Sequence, residues 1–243
     1  VSEPGTGIVR VYDRNQSTGV FGASAPADSK TGLMSSAGEW PETASAELRP
    51  VGKLAPADRF GQSVSVSPNG ATIVVGDPGV EGSGAGRVHV YRRPGATWGS
   101  TTLPAPTVTL NPAALGGVTP INFGESVDID EDNNIVVGAP ESTVNGATKA
   151  GAAYAYRDQG GGSVSANGNP IRAPTPQTNA QYGEDVAVDE GVVVSGAPGQ
   201  NSNQGGAYVT PPVNAGGGGG FQTPEPVGCV VEGPAMVCGS SVA

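Results

Sequence analysis

Residues 123–140 read FGESVDIDEDNNIVVGAP, and this stretch decides the fold. An aromatic residue and a glycine open it, and a β-branched run closes it at Gly138-Ala139-Pro140. Alternation of apolar and polar residues is typical of a strand with two different faces. A short β-branched run that is bounded by turn residues is typical of a buried strand. The stretch therefore predicts two neighbouring strands joined by an acidic turn.

Both ends of this stretch recur along the chain in a fixed order. The aromatic-Gly signature returns as Phe60-Gly61-Gln62-Ser63-Val64 and Tyr182-Gly183-Glu184-Asp185-Val186, with a weaker copy at Val227-Gly228-Cys229-Val230-Val231. The run ending in Gly returns at 74–78 and 194–198, with a weaker copy at 237–241. A third signature, a hexapeptide led by Gly, stands at 7–12, 86–91, 151–156 and 205–210. Such self-similarity is the mark of a repeat architecture.

Each signature predicts one strand of a repeating unit. In the hexapeptide at 86–91, Val88 and Val90 point to one face, while His89 and Tyr91 point to the other. The Pro/Thr/Ser-rich chain between repeats has room for one irregular outer strand, for example at 107–110 or 46–48. Four strands in each repeat is the architecture of a β-propeller blade.

These residues resemble the FG-GAP repeat family, named for the Phe-Gly and Gly-Ala-Pro elements at 123–124, 138–140 and 196–198. The family, which includes integrin α-subunits, folds as β-propellers, and its best-known members are extracellular adhesion and recognition proteins. The resemblance thus implies an all-β fold and an extracellular or cell-surface location.

We expect one domain over 1–243, a four-bladed β-propeller of FG-GAP-like repeats with one blade split between the N- and C-termini. Its blades are expected at about 59–112, 122–176 and 181–224, the fourth combining 227–243 with 5–50. The pairing of 227–241 with 7–12 and about 44–50 would close the ring and remove its open edges. Two alternatives stay open: a neighbouring molecule completes the blade, which would give filaments, or the chain is part of a larger propeller.

The charge balance limits the classes of partner that we expect. Twelve basic residues stand against 22 acidic ones, which gives a formal net charge of −10. Nucleic acid and anionic lipid both attract Lys/Arg clusters, so we expect no nucleic-acid partner. The sequence also has no run of about 18 apolar residues, so we expect no membrane insertion. Expected partners are proteins or glycans at the cell surface or in the matrix, with self-assembly into filaments as a further option.

The two cysteines flank a predicted hairpin. If Gly233-Pro234 forms the turn, Cys229 faces Cys238 at a non-hydrogen-bonded position, where Cα atoms lie close enough for a disulfide. The sequence therefore predicts a disulfide between them, and two separate buried thiols remain the alternative. A bridge would indicate an oxidising compartment.

The acidic turn after 123–129 is the one weak candidate for a metal site. Many FG-GAP blades bind calcium in a loop between their first two strands, and hard cations need about six to eight oxygen ligands. Asp130 and Asp132 are the candidate ligands here, but the family's longer Asp-x-Asp-x-Asp-Gly loop is absent. We therefore favour a solvated turn and expect no cofactor, with calcium as the alternative.

Catalytic machinery is not expected. The single histidine, His89, lies within a strand where other repeats have Tyr or Arg, so a structural position is favoured. No Gly-x-Ser-x-Gly elbow, phosphate-binding loop or zinc spacing is present. The sequence predicts a non-enzymatic extracellular interaction or structural module, acting in adhesion or as a building block of a cell-surface or fibrous assembly.

Two further features concern sugars. Asn15-Gln16-Ser17 is an N-glycosylation sequon, which makes Asn15 a candidate glycosylation site. Trp40 and Trp98 lie in predicted loops, where exposed rings could stack on sugars. A carbohydrate-binding, lectin-like propeller is therefore the alternative function, although packing of the tryptophans over a blade edge is the simpler interpretation.

Overall fold

The computed structural model describes residues 2–3, 7–13, 44–50, 59–79, 84–99, 105–168, 170–212 and 222–227. Its regular structure in these ranges is β, apart from the four-residue helical segment α1 (Gln200–Asn203). No helix of the described residues is therefore long enough to cross a membrane. The all-β class expected from the sequence is confirmed.

In the described ranges, seventeen strands form four main sheets and one ribbon. Sheet I contains β1 (Ser2–Glu3), β2 (Ile8–Val11) and β3 (Ala46–Leu48). Sheet II contains β4 (Val64–Val66), β5 (Thr72–Asp77), β6 (Arg87–Arg92) and β7 (Val108–Leu110). A two-stranded ribbon is formed by β8 (Val118–Thr119) and β11 (Thr143–Val144).

The last two sheets repeat the arrangement of sheet II. Sheet III contains β9 (Val127–Ile129), β10 (Asn134–Ala139), β12 (Ala152–Gly160) and β13 (Ser163–Ala166). Sheet IV contains β14 (Val186–Asp189), β15 (Val192–Gly196), β16 (Ala207–Thr210) and β17 (Glu225–Val227). In sheets II, III and IV the four strands are antiparallel and follow chain order, as the three signatures and an outer strand predict.

The second strands of sheets II and III, β5 and β10, are buried on both faces, which explains their continuous apolar runs. All six residues of β5 are buried. Ile73 and Val75 pack in one core with sheet I, while Val74 packs in another core with sheet III. Neighbouring sheets therefore share cores, and a strand in the middle of this series is covered on both faces.

Three such cores join the four sheets in chain order. Sheets I and II meet around Phe60, sheets II and III around Phe123, and sheets III and IV around Tyr182. Each of these rings belongs to the aromatic-Gly signature and is fully buried. The signature is thus the part of each repeat that packs in the core shared with the sheet before it.

Sheet I differs from the expectation at one edge. The segments 7–12 and 44–50, both expected in the fourth blade, contain β2 and β3, which pair with each other, and Val9 lies opposite Leu48. On the other side, Val9 lies opposite Ser2 of β1, where the sequence placed the segment 227–241. Ser2 has the position opposite Val9 that Gly76 has opposite Val88. The strands of sheet I therefore begin before the hexapeptide at 7–12.

Sheet IV differs at its outer edge. Val227, which the sequence assigned to the weak fourth aromatic-Gly signature, ends β17 and lies opposite Ala207. Leu110 has the same position opposite Val88 in sheet II. The described outer strand of the third repeat thus extends three residues beyond the boundary expected at 224.

Candidate interaction site between sheets I and II

We call the interfaces between neighbouring sheets seams. The aromatic-Gly signature forms hydrogen bonds across the seams between sheets II, III and IV. The Phe123 backbone N–H donates to the Ala85 carbonyl oxygen at 3.0 Å, and the Ser63 hydroxyl donates to the Gly124 carbonyl oxygen at 2.8 Å. Ser126 donates in the same way to Gly183 at 3.0 Å. In the signatures at 60–64 and 123–127, one serine therefore bonds to the sheet that follows.

Small residues are required at these seams. A Cβ on Gly138 would overlap both the Gly183 carbonyl oxygen and the Ser126 hydroxyl. Gly124, with φ of 100°, takes a backbone conformation that residues with a side chain rarely adopt. These glycines of the repeat therefore allow neighbouring sheets to approach each other closely.

Two aspartates of β9 and its turn act across the seams. Asp128 accepts hydrogen bonds from the Ser65 hydroxyl of sheet II and from the Val188 backbone N–H of sheet IV, both at 2.8 Å. Its carboxylate therefore connects three sheets. The alternation along β9 contains the signal for this position, but sequence reasoning did not assign it.

Asp130 is buried rather than solvated as the sequence suggested. Its carboxylate accepts hydrogen bonds from the backbone N–H and the side-chain amide of Asn134 at 2.8 and 2.7 Å. It also accepts one from the Gly191 backbone N–H of sheet IV at 3.0 Å. A buried carboxylate that is bonded in this way stabilises the turn and the seam.

The candidate calcium ligands do not form a matching oxygen set. Both oxygens of Asp130 accept hydrogen bonds from protein N–H groups, while Asp132 is exposed on the turn. Among the described residues, no three His, Cys, Asp or Glu side chains are grouped so that they could hold a metal ion. The residues present therefore do not fit calcium at this turn.

His89 lies at the buried position that the strand pattern predicts. Its ring nitrogens contact the Thr109 hydroxyl at 3.1 Å and an Asp77 carboxylate oxygen at 3.4 Å. Arg87 donates to the same Asp77 oxygen at 2.6 Å. Burial alone would raise the pKa of Asp77, but the hydrogen bonds from His89 and Arg87 outweigh it and lower that pKa. The cluster connects β5, β6 and β7.

Acidic side chains gather at the ends of the seams. Burial, together with the charges of Glu125, Glu141 and Asp185, raises the pKa of Glu184. Arg59 of sheet II forms an ion pair with Glu125 at 3.0 Å, and Lys149 forms one with Glu141 at 2.6 Å. These pairs are bonds between elements of the scaffold.

A groove lies between sheets I and II in the described part of the chain. It has a volume of about 900 Å³. Val64 and Val66 of β4 line it and are 43% and 55% exposed, whereas their counterparts in β9 and β14 are buried. The apolar walls also include the following side chains: Val9, Val11, Ile73 and Trp98.

Trp98 closes one end of this groove without presenting its ring to solvent. Its indole N–H donates to the Gly70 carbonyl oxygen, and its backbone N–H donates to the Asp13 carboxylate, both at 2.9 Å. The side chain is buried in the core that sheets I and II share. Packing over a sheet edge, the simpler of the two interpretations, is therefore the one observed.

Several predicted residues lie outside the described ranges. These are Cys229 and Cys238 with their disulfide, the sequon at Asn15, and Trp40. The predictions for them stay predictions. The groove beside β4 was not foreseen, because Val64 and Val66 fit the same apolar pattern as their buried counterparts.

Comparison with known families supports the repeat assignment. The model of the FG-GAP repeat family matches residues 114–156, which contain Phe123-Gly124 and Gly138-Ala139-Pro140. The resemblance drawn from the sequence is thereby confirmed for this repeat. A search of curated proteins finds no match to the chain.

Proposed function

We propose that this FG-GAP repeat chain is a non-enzymatic extracellular interaction or structural module, built as a four-bladed β-propeller with one blade shared by its two ends. It acts in adhesion or as a building block of a cell-surface or fibrous assembly. The proposal rests on the family resemblance and on the way the sheets are joined.

The series of sheets supports the propeller architecture. Three four-stranded antiparallel sheets of the same topology follow one another, and each shares a core with its neighbour. Sheet I continues the series on the other side of sheet II. Blades of four strands arranged around an axis bury their faces in this way. In the proposed propeller, sheet I and the C-terminal segment make the fourth blade.

The use of the titratable side chains is the observation that carries the functional proposal. Asp77, His89, Asp128 and Asp130 are polar groups of the kind that catalysis uses, and each is engaged in bonds within or between sheets. Catalysis needs such groups in reach of a substrate. Here they hold the scaffold together, which is what a rigid module for interaction requires.

The carbohydrate-binding alternative has less support. It depends on aromatic rings that face solvent, and Trp98 is buried. In the described part of the chain, the exposed large apolar side chains are aliphatic: Val64, Val66, Leu115 and Val227. Aliphatic surface favours protein partners over sugar rings.

Binding to panels of immobilised ligands tests the proposal. The full chain is applied to extracellular-matrix proteins and to a glycan array, and is assayed in parallel on generic ester, glycoside and phosphate substrates. Saturable binding to a matrix protein, or self-assembly of the chain, with no turnover, is expected. Binding to glycans alone would indicate the lectin-like function instead, and turnover of any of these substrates would indicate an enzyme.

A further inference from the structure

The seam between sheets III and IV repeats the backbone contacts of the seam between sheets II and III. The Tyr182 backbone N–H donates to the Ala150 carbonyl oxygen at 3.0 Å, and the Phe123 N–H makes the equivalent hydrogen bond at the same distance. In both signatures a glutamate directly follows the glycine: Glu125 and Glu184. The two seams therefore have a carboxylate at the same place in the repeat, but its surroundings differ.

At the seam between sheets II and III a cation faces this carboxylate. The Arg59 guanidinium forms an ion pair with Glu125 at 3.0 Å, and the two side chains are 23% and 16% exposed. Arg59 also donates to the Gly79 carbonyl oxygen at 2.9 Å, and the Gln62 side-chain amide donates to the Glu125 carboxylate at 3.0 Å. Because its partners are a cation and hydrogen-bond donors, this carboxylate is stable in its charged form.

At the seam between sheets III and IV, Asn122 has the position of Arg59. Each of these residues directly precedes the aromatic residue of its signature, and each backbone carbonyl accepts a hydrogen bond from the N–H three positions further on. Asn122 is uncharged and buried, and its side-chain oxygen has no hydrogen-bond partner among the described residues. In the same register Glu125 has the position of Gln62. A cation and a neutral amide are thus replaced by a neutral amide and a carboxylate.

Glu184 consequently lies among other acidic groups. Its carboxylate accepts a hydrogen bond from the Gln181 side-chain amide at 3.3 Å, and no Lys or Arg of the described residues is paired with it. The basic side chains of this region, Arg59 and Lys149, form ion pairs with other carboxylates. The acidic groups that act on Glu184 come from both sides of the seam and from its own signature: Glu125, Glu141 and Asp185. Burial and repulsion between like charges both favour the protonated form of such a group.

We propose that the seam between sheets III and IV is a pH-sensitive joint, which is closed when Glu184 is protonated and loosens locally when Glu184 is ionised. Ionisation adds a further negative charge to a partly buried acidic cluster, and separation of the two sheets at this end lets water screen it. The seam between sheets II and III stays closed at both pH values, because Arg59 balances the charge of Glu125. This joint lies between two described sheets, so it goes beyond the proposed function and depends neither on a partner nor on closure of the ring.

Hydrogen exchange of two equivalent amides in the full chain tests this joint. The Tyr182 and Phe123 N–H groups bridge the two seams in the same way, so each reports on one seam. After correction for the intrinsic exchange rate, we expect protection of the Tyr182 amide to be about fivefold lower at pH 7 than at pH 4.5. Protection of the Phe123 amide should change by less than about twofold. The same change at both amides, or none at Tyr182, overturns the proposal.

A pair of exchanged residues tests the cause. Asn122→Arg supplies the guanidinium that Arg59 provides at the other seam, and should remove the pH dependence at the Tyr182 amide. A long side chain suits this backbone, because Gln181 has the same φ of 57° at the equivalent position. Arg59→Asn is the converse variant and should give the Phe123 amide the pH dependence that Tyr182 has in the wild type.

Glu184→Gln covers the case in which Asn122→Arg fails to fold. It removes the charge but keeps an oxygen that accepts the hydrogen bond from Gln181, so the pH dependence at the Tyr182 amide should disappear. A pH dependence that persists in either folded variant overturns the proposal. Such a result would leave the proposed function standing, because binding to matrix proteins and assembly of the chain are measured separately.

Discussion

Asp130 and Gly191 belong to successive repeats, and the Gly191 backbone N–H donates to the Asp130 carboxylate at 3.0 Å. The sequence placed Asp130 in a solvated turn with a weak prospect of binding calcium. In the structure its role is different, because its oxygens accept hydrogen bonds from N–H groups of sheets III and IV. An acidic residue that looks like a surface feature is here part of the seam.

Replacement of Asp130 should cost stability. Asp130→Ala leaves the buried N–H groups of Asn134 and Gly191 without their acceptor, so we expect a loss of about 3 kcal/mol in the free energy of unfolding. Asp132→Ala, on the exposed part of the same turn, should change it by less than about 0.5 kcal/mol. Urea denaturation of both variants, with calcium and with a chelator, measures the difference. Equal losses in the two variants, or a stabilisation by calcium that Asp130→Ala abolishes, would contradict the seam role.

The close approach of Gly138 to Gly183 should make the seam intolerant of a methyl group. Gly138→Ala forces the added Cβ against the Gly183 carbonyl oxygen, and we expect a loss of about 2–3 kcal/mol. Gly95→Ala is the control, because a Cβ there meets no atom within 4 Å. Thermal unfolding of the two variants gives the comparison. A Gly138→Ala variant as stable as Gly95→Ala would show that the sheets do not pack at this distance.

Glu184 should make the protein less stable as the pH rises. Its pKa in the folded state is raised above the ordinary value of 4.5 by burial and by Glu125, Glu141 and Asp185. The folded state then holds this proton more tightly than the unfolded state, so stability falls between pH 4.5 and the raised pKa. Glu184→Gln should raise the melting temperature by a few degrees at pH 7 and not below pH 4.5. Glu131→Gln, at an exposed position, is the control and should not raise the melting temperature in this way. A gain of the same size in Glu131→Gln would contradict the role given to Glu184.

Asp77 should have the opposite effect. Its folded-state pKa lies below the ordinary value of 3.8, because the hydrogen bonds from His89 and Arg87 outweigh the cost of burial. The ionised carboxylate stabilises the fold above pH 3.8, and this stability is lost as the pH falls through the folded-state pKa. Asp77→Asn should therefore be less stable than the wild type at pH 7, with a smaller difference under acid conditions. Melting curves at a series of pH values check this, and a constant difference would contradict it.

The repeat signatures predicted much of the fold, because each corresponds to a strand with a fixed burial. The outer strand β7, the buried run of β5 and the two faces of β6 all follow from local alternation and from β-branched residues. Local pattern did not predict the end of the third repeat. Val227-Gly228 resembles the aromatic-Gly signature in composition, but Val227 pairs with Ala207 as an outer strand.

The hydrogen bonds across the seams could not be predicted from local sequence pattern, for a different reason. Asp128 and Ser65 are 63 positions apart in sequence, and their contact depends on how two sheets are stacked. Local sequence pattern could not predict the groove either. Val64 and Val127 occupy equivalent positions in their repeats, and only the packing of neighbouring sheets distinguishes the exposed residue from the buried one.

Small-angle X-ray scattering with light scattering, on the intact chain, tests the central claim most directly. If the four units close one ring within a chain, the mass is that of a monomer of 23.9 kDa. The radius of gyration is then close to the roughly 18 Å of a compact domain of this length. A mass that is a multiple of this value, or a monomer with a clearly larger radius, would contradict closure within one chain.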